Sequence, residues 1–229
     1  MKTVRTSYFI KAKTILTAIG IFMISAWLPA SAVEGIWFDG ANFRSDGQFK
    51  VGRVLDFSNG TFHLGGGRFG NGDKYSLMSN ERNGTIFLSL NSGKKIPISS
   101  LTKNTIQVQG NEYYRAILIT QKNAKEFLPG SWGYGGSSCD AELFTFNANV
   151  SKVRYTEKSD GKVKTTEFNF RCQNNVCIET DHKTRNKMRL YYIPKLDLHV
   201  SEILEAVTKN RHKHQEDLNS YSTWSFRCQ

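Results

Sequence analysis

The sequence predicts an all-β protein built from two tandem small antiparallel barrels. Short runs of β-branched and aromatic residues alternate with Asn-Gly and glycine-rich turns along most of the chain. Two Gly-x-Trp segments, Gly35-Ile36-Trp37 and Gly130-Ser131-Trp132, lie about one small domain apart, each at the start of such a series. Since a small sheet must bury one face and protect its edges, closure into a barrel satisfies both needs.

Residues 1–32 have the composition of a secretory signal peptide. Four basic residues with no acid precede an apolar run from Ile15 to Leu28, and Ala30-Ser31-Ala32 supplies a cleavage site after Ala32. A retained membrane anchor is the alternative, but the apolar run is shorter than the roughly 20 residues of a spanning helix. We therefore expect a periplasmic or secreted protein with no stable membrane span after signal removal.

Residues 33–122 are predicted to form the first barrel domain. Alternating strand patterns cover 49–57, 75–78, 85–90 and 105–108, and Asn59-Gly60 and Asn83-Gly84 mark turns between them. Such a series is typical of a meander of antiparallel strands.

Residues 128–229 are predicted to form a second barrel domain after a linker at 121–129. Strand patterns recur at 143–146, 151–155, 166–170, 188–192 and 222–226. An apolar stripe through Leu204 and Val207, at three- and four-residue steps, predicts a helix near 201–218.

All four cysteines fall in the second half, which predicts two disulfides in an exported chain. Cys172 and Cys177 flank a short turn and would face each other across a hairpin. Cys139 is then left for Cys228, a bridge that ties the first strand of this half to its last. A zinc site is the weaker alternative, because the paired Cys-x-x-Cys spacing is missing.

The Gly-x-Trp opener, the turn-rich meander and the segments Ile98–Val108 and Tyr113-Tyr114-Arg115 together resemble small lipocalin-like β-barrel domains of exported bacterial proteins. The resemblance covers residues 34–120 and extends to 130–229 through Gly130, Trp132 and the strand rhythm. It implies that the opener's tryptophan packs across the closed barrel end beneath a late arginine, Arg115 over Trp37 and Arg227 over Trp132. A single larger lipocalin spanning the mature chain is the alternative.

The sequence contains no pattern that favours catalysis, a bound cofactor or a metal. No Gly-x-Ser-x-Gly elbow is present, and the run Gly65–Asp73 lacks the Gly-Lys-Ser/Thr of a phosphate-binding loop. The net charge is +11, but basic residues alternate with acidic ones throughout, which does not favour nucleic-acid binding. We expect a non-enzymatic protein.

The most consistent functional expectation is an exported binding protein that binds or inhibits another protein of the cell envelope, of the toxin-neutralising or envelope-enzyme inhibitor type. Barrels with such short strands are expected to be filled by their own side chains. Loop residues Arg68, Phe69, Asn71, Asp73 and Tyr134 are the candidate partner contacts. The alternative is a periplasmic carrier of a small apolar ligand, a lipid or haem.

Overall fold

The computed structural model describes residues 32–43, 48–49, 54–57, 60–64, 73–79, 85–208, 211–213 and 222–229. Apart from Ala32, the predicted signal peptide lies outside these residues. The described chain is almost entirely strands and turns, with one short helix, so the all-β prediction is confirmed.

The strands of the N-terminal half are β1 (Ile36–Asp39), β2 (Gln48–Phe49), β3 (Val54–Asp56), β4 (Thr61–Leu64), β5 (Asp73–Ser79), β6 (Ile86–Leu90), β7 (Lys95–Leu101), β8 (Thr105–Val108) and β9 (Asn111–Leu118). A 3₁₀ turn, Gly40–Asn42, follows β1. The elements of the C-terminal half are α1 (Ala124–Phe127), β10 (Gly130–Tyr134), β11 (Glu142–Phe146), β12 (Lys152–Ser159), β13 (Lys162–Gln173), β14 (Val176–Thr180), β15 (Thr184–Ile193), β16 (Leu198–Thr208), β17 (Arg211–Lys213) and β18 (Ser222–Arg227).

Eight antiparallel strands of the C-terminal half form a closed barrel. From β10 to β16 each strand pairs with the next, and β18 joins β16 back to β10. The ring closes where Trp132 pairs with Arg227. The short strand β17 extends β16 as a hairpin at the edge.

The N-terminal strands are also linked in a circuit. Antiparallel pairings connect β3 to β9 in chain order, and β1 pairs with both β3 and β9. Strand β2 instead pairs with β18 of the other half. The main apolar cluster of this half surrounds the fully buried Trp37 and Leu88.

Both halves repeat one local structure at the Gly-x-Trp opener. Gly35 and Gly130 each have φ of +115°, a conformation that favours glycine. The indole Nε1 of Trp37 donates to the Val33 carbonyl at 2.8 Å, and that of Trp132 donates to the Leu128 carbonyl at 2.9 Å. The same tryptophan therefore fixes the chain four residues before it in each half.

The expected arginine lies over each tryptophan. The guanidinium carbon of Arg115 is 4.7 Å from the Trp37 ring centroid, and that of Arg227 is 4.1 Å from the Trp132 centroid. Arg115 donates to the Ala32 carbonyl and Arg227 to the Pro129 carbonyl. The cation–π placement predicted from the lipocalin resemblance is thus confirmed for both pairs.

The two halves pack against each other through an apolar cluster of their own. Phe38 from β1 meets Tyr191 from β15 edge to face at 5.3 Å, and Val54 and Val200 are buried in the same cluster. Backbone pairing also crosses the junction, because the end of β9 pairs with Tyr191 and Tyr192 of β15. The halves therefore share hydrogen bonds as well as a buried face.

The segment predicted as a linker at 121–129 is packed structure. Ala124 and Leu128 are buried in the C-terminal core, and Asn123 ties the turn together by accepting from the Thr120 backbone and donating to the Leu118 carbonyl. Gln121, Lys122, Lys125 and Glu126 are exposed, while Ala124, Phe127 and Leu128 pack into the barrel core. This segment closes one end of the C-terminal barrel.

The helix predicted near 201–218 is wrong where the structure describes it. Residues 201–208 belong to β16 and 211–213 to β17, whereas 214–218 lie outside the described residues. On β16, His199 and Ser201 face the barrel interior, and Val200 packs on the N-terminal half. Since Ile203 also lines the cavity and Glu202 alternates with it, neither face of β16 is uniformly apolar, and the period-two pattern of the strand is weak.

Both predicted disulfides are confirmed. Cys139 and Cys228 are bridged with their Cα atoms 6.0 Å apart, and Cys172 bonds to Cys177 across the β13–β14 hairpin. The strands predicted at 75–78, 105–108, 143–146, 166–170 and 188–192 are also present. An oxidising compartment is the environment in which such bridges persist.

We expect the two disulfides to contribute unequally to stability. Paired Cys→Ser substitution at Cys139 and Cys228, which are 89 residues apart, should lower the free energy of unfolding by about 4 kcal/mol. The same substitution at Cys172 and Cys177, 5 residues apart, should cost about 2 kcal/mol because the shorter loop restrains the unfolded chain less. Urea unfolding measures both, and equal losses would contradict the loop-length argument.

Candidate functional site

The C-terminal barrel encloses a cavity of about 220 Å³. Its wall comes from β10, β11, β13, β14, β15, β16 and β18, so every part of the ring except β12 contributes. The lining residues are Tyr134, Phe144, Phe146, Phe170, Glu179, Asn186, Met188, Leu190, His199, Ser201, Ile203, Thr223, Trp224 and Ser225. Several of them, including Asn186 and Thr223, are only half-buried, so solvent reaches the inside of the barrel.

The expectation of a completely filled interior is therefore wrong for this barrel. Strand length sets the depth of a barrel, whereas strand number and stagger set its width, and eight strands leave room for one small ligand. The inward residues Ser201, Thr223 and Ser225 are small and leave space that larger side chains would fill. Short strands alone did not justify a filled barrel.

His199 lies at the closed end of the cavity. Its side chain is 3% exposed and its Nε2 atom has no hydrogen-bond partner among the described residues. The backbone of Phe127, in α1, forms a hydrogen bond with the imidazole. Because Nε2 is unpaired, the ring atom in this bond is Nδ1. Nδ1 then carries the ring proton, which leaves a lone pair on Nε2.

Trp132 lies between His199 and Arg227. The His199 ring centroid is 3.6 Å from that of Trp132, and the Arg227 guanidinium is 4.1 Å from the same ring. Two planar groups this close to one ring must occupy opposite faces. Arg227 is itself oriented by Asp197, whose two carboxylate oxygens both accept from its Nε at 3.0 Å.

Burial lowers the pKa of His199 from its ordinary value to about 3, and the positive charge of Arg227 acts in the same direction. The Phe127 backbone and Asp197 oppose the shift more weakly. His199 is therefore neutral at physiological pH, and its Nε2 is a hydrogen-bond acceptor.

A carboxyl group stands in another part of the wall. Glu179 on β14 pairs with Asn186 on β15, and the Asn186 Nδ2 donates to the Glu179 Oε1 at 3.0 Å. Burial raises the pKa of Glu179, an effect that the Asn186 hydrogen bond partly offsets. The cavity thus has aromatic walls, several hydroxyl and amide side chains, and two ionisable groups, His199 and Glu179.

Of the two predicted partner contacts that the structure describes, Tyr134 belongs to this site and Asp73 does not. The Tyr134 ring lines the cavity, 6.5 Å from that of Phe144. Asp73 begins β5 in the other half and accepts a hydrogen bond from Ser92 at 3.0 Å. Arg68, Phe69 and Asn71 lie outside the described residues.

Sequence reasoning missed His199, Glu179 and Asn186 as site residues. His199 and Ser201 alternate with Val200 and Glu202 along β16, and that alternation was the available signal, but the predicted helix obscured it. Glu179 lies on β14, just after the Cys172–Cys177 turn, and nothing in the sequence shows that it faces inwards.

The described residues form a cavity lined by aromatic, aliphatic and polar side chains. Within the described residues, no three His, Cys, Asp or Glu side chains come together as a group that would hold a metal ion. Nor does that part of the chain contain a helix with the length and hydrophobicity needed to cross a membrane.

Comparisons with protein-family models, with curated proteins and with solved structures find no match to this chain. The resemblance to lipocalin-like barrels consequently depends on the strand circuit, the Gly-x-Trp openers and the stacked arginines described above.

We expect the buried His199 to make the protein less stable in mild acid. The unfolded chain takes up a proton below pH 6.5, whereas the folded imidazole stays neutral down to about pH 3, so acid favours unfolding. Between pH 7 and pH 5 this one group should lower the free energy of unfolding by about 2 kcal/mol. Urea unfolding at the two pH values measures the loss.

The variant His199→Phe keeps an aromatic ring against Trp132 and removes the titrating group, so its unfolding free energy should depend less on pH. His182→Gln, which removes an exposed histidine, is the matched control. An unchanged pH dependence in His199→Phe would contradict the assignment.

Proposed function

We propose that this chain is an exported, non-catalytic binding protein whose C-terminal barrel holds a small molecule. The observation that carries the proposal is the cavity of about 220 Å³, which is lined by aromatic side chains and by His199, whose buried Nε2 has no hydrogen-bond partner among the described residues. Concave, mostly apolar sites with a few placed polar groups are the usual form of small-molecule sites.

The size of the cavity restricts the ligand to compact molecules. Sites for drug-sized ligands have volumes of roughly 300 to 1,000 Å³, and this cavity lies below that range. Haem or a long-chain lipid, the ligands considered from sequence, would need a larger chamber than this one. A molecule of one or two rings suits the space better.

The proposal includes two tandem lipocalin-like units, with a boundary near Pro129. Support comes from the strand circuit in each half, the repeated Trp–Arg pair and the separate core clusters around Trp37 and around the C-terminal barrel. A periplasmic or secreted location accords with both disulfides and with the predicted signal peptide.

Native mass spectrometry of the purified full chain tests the binding proposal. We expect a stoichiometric added mass of a compact molecule, and we expect Ser201→Leu to lose it because the larger side chain projects into the cavity. Ser159→Leu makes the same change at an exposed hairpin position and should keep the added mass.

Retention of the added mass in folded Ser201→Leu would place the ligand elsewhere. A wild-type protein that remains free of ligand after purification from its own host and after incubation with a library of compact ring compounds would contradict the proposal.

A second candidate function, binding to another protein, is favoured by the β12–β13 hairpin. Residues 158–165 at its end are all exposed, on both faces of the two strands, which shows that the hairpin projects beyond the barrel wall. Val163 is 62% exposed, and Lys158, Lys162 and Lys164 surround it in the pairing register. The exposed Val163 among these lysines suits an acidic protein surface with an apolar pocket.

Affinity capture from envelope extract tests this second function. A true partner should be retained by the wild-type protein and lost from the pair Lys162→Glu and Lys164→Glu, since the charge reversal repels an acidic surface. The pair Lys122→Glu and Lys125→Glu, exposed at the other end of the barrel, is the matched control. Equal capture by both pairs would exclude the hairpin as the contact.

A further inference from the structure

We propose that the ligand of the C-terminal barrel is a compact, flat ring compound that donates an N–H or O–H hydrogen bond to Nε2 of His199. This inference rests on the binding function proposed above and specifies the chemical class of the ligand. It follows from the state of one buried nitrogen and from the walls around it.

The neutral imidazole of His199 can accept a hydrogen bond at Nε2 but cannot donate one there. The ring is buried, its Nδ1 is engaged by the Phe127 backbone, and the guanidinium of Arg227 lies on the far side of Trp132. Both burial and the nearby positive charge keep the imidazole neutral. Nε2 therefore presents a lone pair, and only a donor satisfies it.

A ligand without a hydrogen-bond donor would leave Nε2 of His199 unpaired. A buried polar atom left unpaired costs free energy that a donor-bearing ligand avoids. Sites built around such an atom discriminate strongly against the analogue that lacks the matching group. His199 thus selects between two ligands of the same shape.

The apolar wall of the cavity determines the shape of the rest of the ligand. Phe144 and Phe146 on β11 and Phe170 on β13 line one part of the wall, and Met188 and Leu190 continue it on β15. Phe146 and Phe170 meet edge to face at 5.0 Å, so their ring faces and edges offer the contacts that aromatic guests prefer. A flat apolar body is the complement of this wall.

Glu179 is the second ionisable group in the cavity wall, besides His199. Its Oε1 accepts from Asn186, and its other carboxylate oxygen, which has no hydrogen bond from the described residues, can accept from a substituent such as an amino group. A ring compound with one donor suffices for His199, and a second donor would add affinity through Glu179.

Indole and benzofuran provide a matched pair of probes, since they have nearly the same shape and only indole carries an N–H donor. Isothermal titration of the full chain at pH 7 should show indole binding about tenfold more tightly, the effect of one buried hydrogen bond. In the ¹⁵N spectrum of the wild-type protein, the His199 Nε2 resonance should move on addition of indole and stay in place with benzofuran.

His199→Phe should bind both probes with similar affinity, because the stacking on Trp132 is kept while the acceptor is lost. Ser201→Leu should bind neither. Equal affinity of the wild type for the two probes, an unmoved Nε2 resonance, or a preference for indole that persists in folded His199→Phe would overturn the inference and leave the binding function intact. No binding of either probe would overturn the inference as well, and the native mass measurement then decides the proposed function separately.

Discussion

The hydrogen bond from a buried indole to the chain just before its own strand is the constraint on which this architecture depends. In each half the tryptophan donates to the carbonyl four residues earlier, and an arginine from the last strand covers its ring. One buried side chain therefore joins the first strand, the last strand and the segment that enters the barrel. An eight-stranded ring has no terminal edge to leave unpaired, but it must be closed at this point.

Residue patterns were sufficient to predict the class of fold because the relevant signals are local. The glycine at positive φ, the tryptophan two residues later and the cysteines on either side of a tight turn all act within a few residues. Strand alternation at Thr105–Val108 is visible since one face is buried. The Cys139–Cys228 bridge was accessible by elimination once the hairpin pair was assigned.

The site itself was not predictable for reasons that lie in tertiary structure. Strand β16 has the N-terminal half on its outer side and a partly polar cavity on its inner side, so its hydrophobic pattern resembles a helical stripe. The segment before β10 looks polar because only Ala124, Phe127 and Leu128 turn inwards. Whether a barrel is hollow depends on which residues of different strands meet inside, and that information is absent from any single run of sequence.

Separating the two halves in a truncated chain would expose the surface at which they pack together. Tyr191, Ile193 and Val200 are almost wholly shielded, and the cover comes from Phe38, Val54 and Ala116 of the other half. A fragment beginning after β9 would expose this apolar surface and the unpaired edge of β15 to water. Copies of such a fragment could pair through this edge and apolar face, so each half protects the other from self-association.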